Sequence, residues 1–119
     1  MKKLITALFF VWSSSLFASG YLIDTINIKS IKLNEIRQII VFKPIGIEDL
    51  DSVSILYLLD GEFSQQRFEK AFEQKENSII GVGIINTNRN RDMLPLKQPI
   101  NFLNFIEKEL IPMVEKELL

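Results

Sequence analysis

Cysteine and histidine are both absent from this chain of 119 residues. Without cysteine there can be no disulfide, no thiolate nucleophile, no zinc–cysteine site and no lipid-anchored N-terminal cysteine. Without histidine, a transition-metal site would need carboxylates alone, and no Asp/Glu cluster has that spacing. A charge excess of either sign is missing too. Fourteen Lys and Arg against fifteen Asp and Glu leave a net charge of −1, and no basic run exceeds two adjacent residues. That excludes the electrostatic footprint of a nucleic-acid binder. Internal repeats and low-complexity stretches are absent as well. What remains is 47% hydrophobic and 24% charged, the composition of a globular chain, one domain at most, with no cofactor signature.

The N-terminus follows its own pattern. Lys2 and Lys3 form a positive stretch, Leu4 to Trp12 is apolar apart from Thr6, and Ser13 to Gly20 is rich in small residues. This is the three-part pattern of a secretory signal peptide, and the apolar run is too short to span a bilayer. Residues 1–20 are therefore expected to be removed, with cleavage after Ala18 or Gly20 fitting equally well. Loss of Lys2 and Lys3 takes the net charge from −1 to −3. The expected product, residues 21–119, is exported to the periplasm or secreted, with no stable membrane anchor after cleavage.

Ile23 to Lys29 alternates, with Ile26 and Ile28 on one face and Thr25 and Asn27 on the other, as in a half-buried strand. Leu33-Asn-Glu35 is a turn candidate. Ile36 to Lys43 is β-branched and ends at Pro44, so the two segments predict an antiparallel hairpin. Val53 to Leu59 is almost wholly apolar and predicts a strand covered on both faces. Asp60-Gly61 ends it. Ser64 suits a helix N-cap, and Phe63 with Phe68 occupies the two positions of a hydrophobic staple. Phe68, Ala71 and Phe72 give the helix an apolar stripe down to about Lys75, with Glu76-Asn77 as the exit turn. Ile79 to Ile85 is a second apolar strand, completing a parallel β-α-β unit. Gly81 and Gly83 share one strand face, which predicts close approach of a helix. Phe102, Leu103, Ile106, Leu110 and Val114 recur at helical spacing, Glu107, Lys108 and Glu109 lie opposite, and Pro112 should kink or restart that helix.

The loops at the C-terminal ends of the two parallel strands carry the candidate chemistry, because ligands of open α/β sheets bind there. Asp60-Gly61-Glu62 joins a strand to a helix. Its backbone N–H groups could receive a developing oxyanion, or the turn could be an ordinary connection. Arg89 and Arg91 could clamp an anionic substrate group. Arg91 could instead pair with Asp92 or Asp60 to fix the loop. Tyr57 suits the core better than catalysis.

These residues carry a resemblance. Leu56-Tyr-Leu-Leu-Asp-Gly-Glu62, then Val82-Gly-Ile-x-Asn-Thr-Asn-Arg-x-Arg-Asp-x-x-Pro95, then Phe105-Ile-Glu-Lys-Glu-Leu-Ile-Pro112 are similar to the esterase D-like and siderophore-esterase family of α/β-hydrolases. Ile40-Val-Phe-Lys-Pro44 resembles that family's second strand, and the match runs over roughly residues 25–117. The resemblance implies the N-terminal portion of an α/β-hydrolase fold: an antiparallel hairpin leading into a parallel β-α-β unit plus a further helix. It implies a small-molecule ester as substrate. In such enzymes a serine in a G-x-S-x-G elbow, an acid and a histidine follow in that order, and one oxyanion N–H comes from the loop after the third strand. That loop corresponds to Asp60-Gly61-Glu62, with the Glu62 N–H as the candidate donor.

The departures are large. No serine here is flanked by glycines in the elbow pattern, no histidine exists to act as base, and the family fold is about twice this length or more. The segment from Met93 to Pro99 also looks shorter than is usual. The expectation is the N-terminal part of a secreted esterase, cut short by a stop codon or frameshift or taken from an incomplete gene, and inactive alone as a serine esterase. The strand Ile79 to Ile85 should lack one parallel neighbour, leaving an apolar edge open to self-association. The competing expectation is a small secreted non-catalytic module that holds an anionic ligand with the rim loops and Arg89 and Arg91.

Overall fold

A computed structural model describes residues 20–47, 49–75, 78–94 and 99–119. Residues 1–19 of the expected signal peptide, the Glu76-Asn77 turn and most of the Met93 to Pro99 segment lie outside the described residues. The strands are β1 (Tyr21–Ser30), β2 (Glu35–Pro44), β3 (Ser54–Leu58) and β4 (Ile79–Ile84). The helices are α1 (Ser64–Lys75), a short α2 (Arg89–Met93), α3 (Pro99–Phe105) and α4 (Ile111–Leu118), with Ile106–Leu110 between the last two in π conformation.

The hairpin forms as expected. β1 and β2 pair antiparallel along their whole length, Tyr21 against Pro44 through Ser30 against Glu35. The turn falls slightly earlier than the sequence suggests, at Ile31 to Asn34, with Asn34 at φ 52°. Asparagine tolerates that left-handed geometry because its short side chain can bond locally.

The sheet order is β1-β2-β4-β3, with β2–β4 antiparallel and β3–β4 parallel. This corrects two expectations. β4 lies between β2 and β3, so it is not short of a neighbour, and all six of its residues are buried. The outer strand is β3, where Ser54 is exposed and only Leu58 is buried. The apolar run from Val53 to Leu59 reads like a central strand, yet strand position depends on which partners β4 takes. The hairpin takes one side of β4 and leaves β3 the rim.

Helices cover both faces. On one, Phe68 of α1 stacks on Phe42 of β2 at 4.9 Å between ring centroids, with Tyr21 edge-on to Phe68 at 5.0 Å. Tyr21, Phe42, Leu58, Phe68 and Ile79 form this core. The glycines make the approach feasible. A Cβ on Gly81 would lie 2.5 Å from the Phe68 ring, and one on Gly83 would lie 2.5 Å from Ser64 Oγ, both inside van der Waals contact. On the other face Ile39, Val41, Ile80, Val82 and Ile84 pack against Phe102, Phe105, Leu110 and Val114.

Four local expectations are corrected. Ser64 has helical dihedrals and donates its hydroxyl to the Gly61 carbonyl at 2.6 Å, so it is not an N-cap acceptor. The staple does not form: Phe68 is buried while Phe63 is 74% exposed. Leu103 is 56% exposed and Phe105 takes its place in the core. Glu109 turns inward rather than to solvent. It accepts hydrogen bonds from Ser30 Oγ (2.9 Å) and from the Ile31 and Lys32 N–H groups (both 2.8 Å), which ties the helix to the hairpin turn.

Pro112 does restart the helix. The Ile111 N–H reaches back five residues to the Ile106 carbonyl. The wider π turn accommodates a residue that has no N–H to give the previous turn.

Candidate functional site

The rim is built where β3 and β4 end. After Leu58 the chain reaches Asp60, which is left-handed at φ 51°, ψ 58°. Gly61 to Phe63 then form one 3-10 turn that runs into α1. The Phe63 N–H donates to the Asp60 carbonyl at 2.9 Å. Gly61 is buried because the turn lies against the end of β4. A Cβ there would sit 2.6 Å from the Ile84 carbonyl carbon, which no side chain can move aside. Arg67, one turn into α1, reaches back to the Leu59 and Asp60 carbonyls. The first N–H groups of such a turn have no partner within it. Gly61 and Glu62 supply those groups at the C-terminal rim of the sheet.

The carboxylates of this turn point to β4. Asn86, just after β4, donates its side-chain N–H groups to Asp60 Oδ1 and Glu62 Oε2, both at 2.8 Å. Its backbone N–H donates to Glu62 Oε1. Arg89 Nε bonds Asp60 Oδ1 at 3.0 Å. The Asn86 hydrogen bond, then the one from Arg89, hold the Asp60 carboxyl below the usual carboxylate range.

Arg91 is held by two carboxylates. Its guanidinium bonds Glu35 Oε1 at 2.6 Å and Asp92 Oδ1 at 2.8 Å. The Glu35 bond, followed by that of Asp92, pushes the Arg91 guanidinium upward, and the Arg91 bond in turn lowers Glu35. Asn88 caps α2 by accepting from the Arg91 N–H at 3.0 Å. Tyr57 is half-buried on β3, its phenol pushed up by burial and by Glu115.

Beneath the rim is a charge that sequence reading passed over. Arg37 of β2 is completely buried. It bonds Asp92 Oδ2 at 2.7 Å, Glu35 Oε1 at 3.2 Å and the Ile85 carbonyl at 2.8 Å. Its guanidinium lies 5.3 Å from the Phe102 ring centroid. The signal was present, since Arg37, Ile39 and Val41 are in phase on one face of β2. Asn86 falls within the Val82 to Pro95 string, but no local periodicity marks it as a partner of the turn.

Among solved structures, an IroE-like serine hydrolase from Shewanella oneidensis matches with 29% identity and TM-score 0.66, over 81% of this chain and 39% of that one. The described α/β fold thus resembles part of a serine hydrolase. In fold the chain is similar to the siderophore-esterase type of α/β-hydrolase. The BES protein from Bacillus cereus is 25% identical, with TM-score 0.63 over 79% of this chain and 45% of that one. The enterobactin esterase from Shigella flexneri shares the fold at 23% identity, with TM-score 0.63 over 80% of this chain and 26% of that one. The chain spans less than half the length of each of these relatives. No protein-family model and no curated protein matches the sequence.

Proposed function

We propose that this chain is the N-terminal part of a secreted carboxylic-ester hydrolase of the serine type, and that it supplies one arm of the oxyanion hole. The strand order β1-β2-β4-β3 carries this reading. It puts the Asp60-Gly61-Glu62 turn at the C-terminal end of β3, the position that provides an oxyanion N–H in α/β-hydrolases. In this reading the Glu62 N–H is the donor, and the αL geometry of Asp60 and the buried Gly61 fix the backbone that carries it. The substrate is a small-molecule ester, with siderophore esters the class that the esterase relatives suggest. Expected export rests on the N-terminal pattern of residues 1–20. Among the described residues no helix is long and apolar enough to cross a membrane.

The 119 residues hold neither a histidine nor a Gly-x-Ser-x-Gly elbow. An oxyanion arm alone has no tetrahedral intermediate to stabilise. The alternative, an anionic ligand held by Arg89 and Arg91, has less support, because Arg91 is engaged by Glu35 and Asp92 and Arg89 by Asp60.

The test uses the chain alone and a chimera in which residues 20–119 replace the matching segment of the Shewanella hydrolase. The chain alone should not hydrolyse p-nitrophenyl acetate, and the chimera should. In the chimera, Glu62→Pro removes the backbone donor whereas Glu62→Ala keeps it. The proline variant should therefore lose about a hundredfold in kcat relative to the alanine variant. Equal rates for the two would sink the oxyanion assignment. Hydrolysis by the chain alone, well above that of an Asp60/Glu62 double variant, would sink the expected inactivity.

A further inference from the structure

We infer that Asn86 is the positioning residue of the oxyanion turn, holding Asp60 and Glu62 together from the end of β4 so that the turn is set before any substrate arrives. The inference rests on the oxyanion reading of the turn, but its geometry stands independently. Asn86 spends three donors on this one turn: its backbone N–H on Glu62 Oε1 and its side-chain amide on Glu62 Oε2 and Asp60 Oδ1. Carboxylates only accept, so the amide nitrogen must face both. Two like charges that would otherwise repel are bridged by a neutral double donor. The Glu62 carboxylate is thereby folded back on the protein and is engaged at both oxygens.

The platform under Asn86 is fixed. The preceding residue, Ile85, donates its N–H to the Gln38 carbonyl at 3.1 Å and accepts from buried Arg37 at 2.8 Å. Gly61 packs on that same backbone, with its hypothetical Cβ 2.8 Å from Ile85 N. Asn86 therefore links a rigid strand end to a turn whose first residue, Asp60, holds an uncommon left-handed conformation. Arg89 shares the Asp60 oxygen through its Nε and is 58% exposed, so it adds charge compensation more than geometry.

The test is NMR on the 119-residue chain, which needs no esterase activity. In Asn86→Ala the Phe63 amide, which closes the turn on the Asp60 carbonyl, should exchange about tenfold faster or more, as expected when a local closure is released. The Val82 amide in β4 should keep its protection. The Asp60 carboxyl should titrate at higher pH than in the parent. Arg89→Ala should raise the Asp60 titration yet leave the Phe63 amide unchanged. Unchanged Phe63 exchange in a folded Asn86→Ala chain would overturn the inference. So would a loss of protection at Val82 equal to that in the turn, because the role would then be general stability. Should the alanine variant unfold, Asn86→Asp keeps the size, removes the side-chain donors, and is judged by the same readouts. Failure of the oxyanion reading would appear only in the chimera kinetics.

Discussion

Two arginines of this chain look alike in sequence and differ sharply in energetic weight. Arg37 has no solvent access and holds Asp92, itself buried, at 2.7 Å. Removing one partner of a buried pair leaves an uncompensated charge, which costs about 3–5 kcal/mol. Arg89 sits at the surface, where such a pair contributes about 0–1 kcal/mol. Urea unfolding should therefore show Arg37→Ala losing several-fold more stability than Arg89→Ala. Equal losses would mean that the Arg37–Asp92 pair is hydrated and not the anchor of the α2 loop. The period-two pattern of β2 already places Arg37 with Ile39 and Val41, so its burial was legible. Its partner was not, because Asp92 lies 55 positions away.

At the scale of elements, the join between α3 and α4 and the hairpin turn stabilise each other. Glu109 sits in the π segment and closes the start of the β1–β2 turn with its carboxylate. Burial pushes the Glu109 carboxyl up, but the Lys32 and Ile31 N–H groups and Ser30 Oγ outweigh it and bring the net value below the ordinary one. Glu35, at the other side of the same turn, is lowered mainly by Arg91. A carboxyl lowered by folding binds its proton more weakly folded than unfolded. Its stabilisation is full above the unfolded value, about pH 4.3, and is lost as pH falls through the lowered folded value. Glu109→Gln should cost about 1–2 kcal/mol at pH 7 and flatten the fall in stability as the pH drops below about 4.3. Chemical denaturation at several pH values checks this. An unchanged acid slope would show that Glu109 is not a net contributor. The helical spacing located this helix, but the charge pattern placed Glu109 on the outer face, because a π turn shifts every later side chain around the axis.

Over the whole molecule, the sheet presents β3 as an edge whose outer side has no paired strand among the described residues. Ile55, Leu56 and Tyr57 are only half-covered there, and Leu59, Phe63 and Leu103 are exposed. Open apolar strand edges invite pairing with another chain. The 119-residue polypeptide should therefore associate with itself in a concentration-dependent way, visible by light scattering coupled to size exclusion. A monomer with a cooperative melt across that range would count against the edge being sticky. The expectation of self-association stands on β3, not on the Ile79 to Ile85 strand.

The sequence alone determined the hairpin, the β-α-β unit, the apolar stripe of α1 and the purpose of Gly81 and Gly83. These depend on local periodicity and on residue size, which neighbouring positions report directly. It also picked out the Asp60-Gly61-Glu62 turn, because a strand ending in Asp-Gly before a helix is a local signal. Only the tertiary structure decided that β4 sits between β2 and β3, that Arg37 is buried on Asp92, and that Asn86 grips the turn. Each of these is a choice among partners far apart in the chain. Period-two patterning says which face a residue takes but not what lies opposite, and that is settled when the packed faces and buried charges are satisfied together.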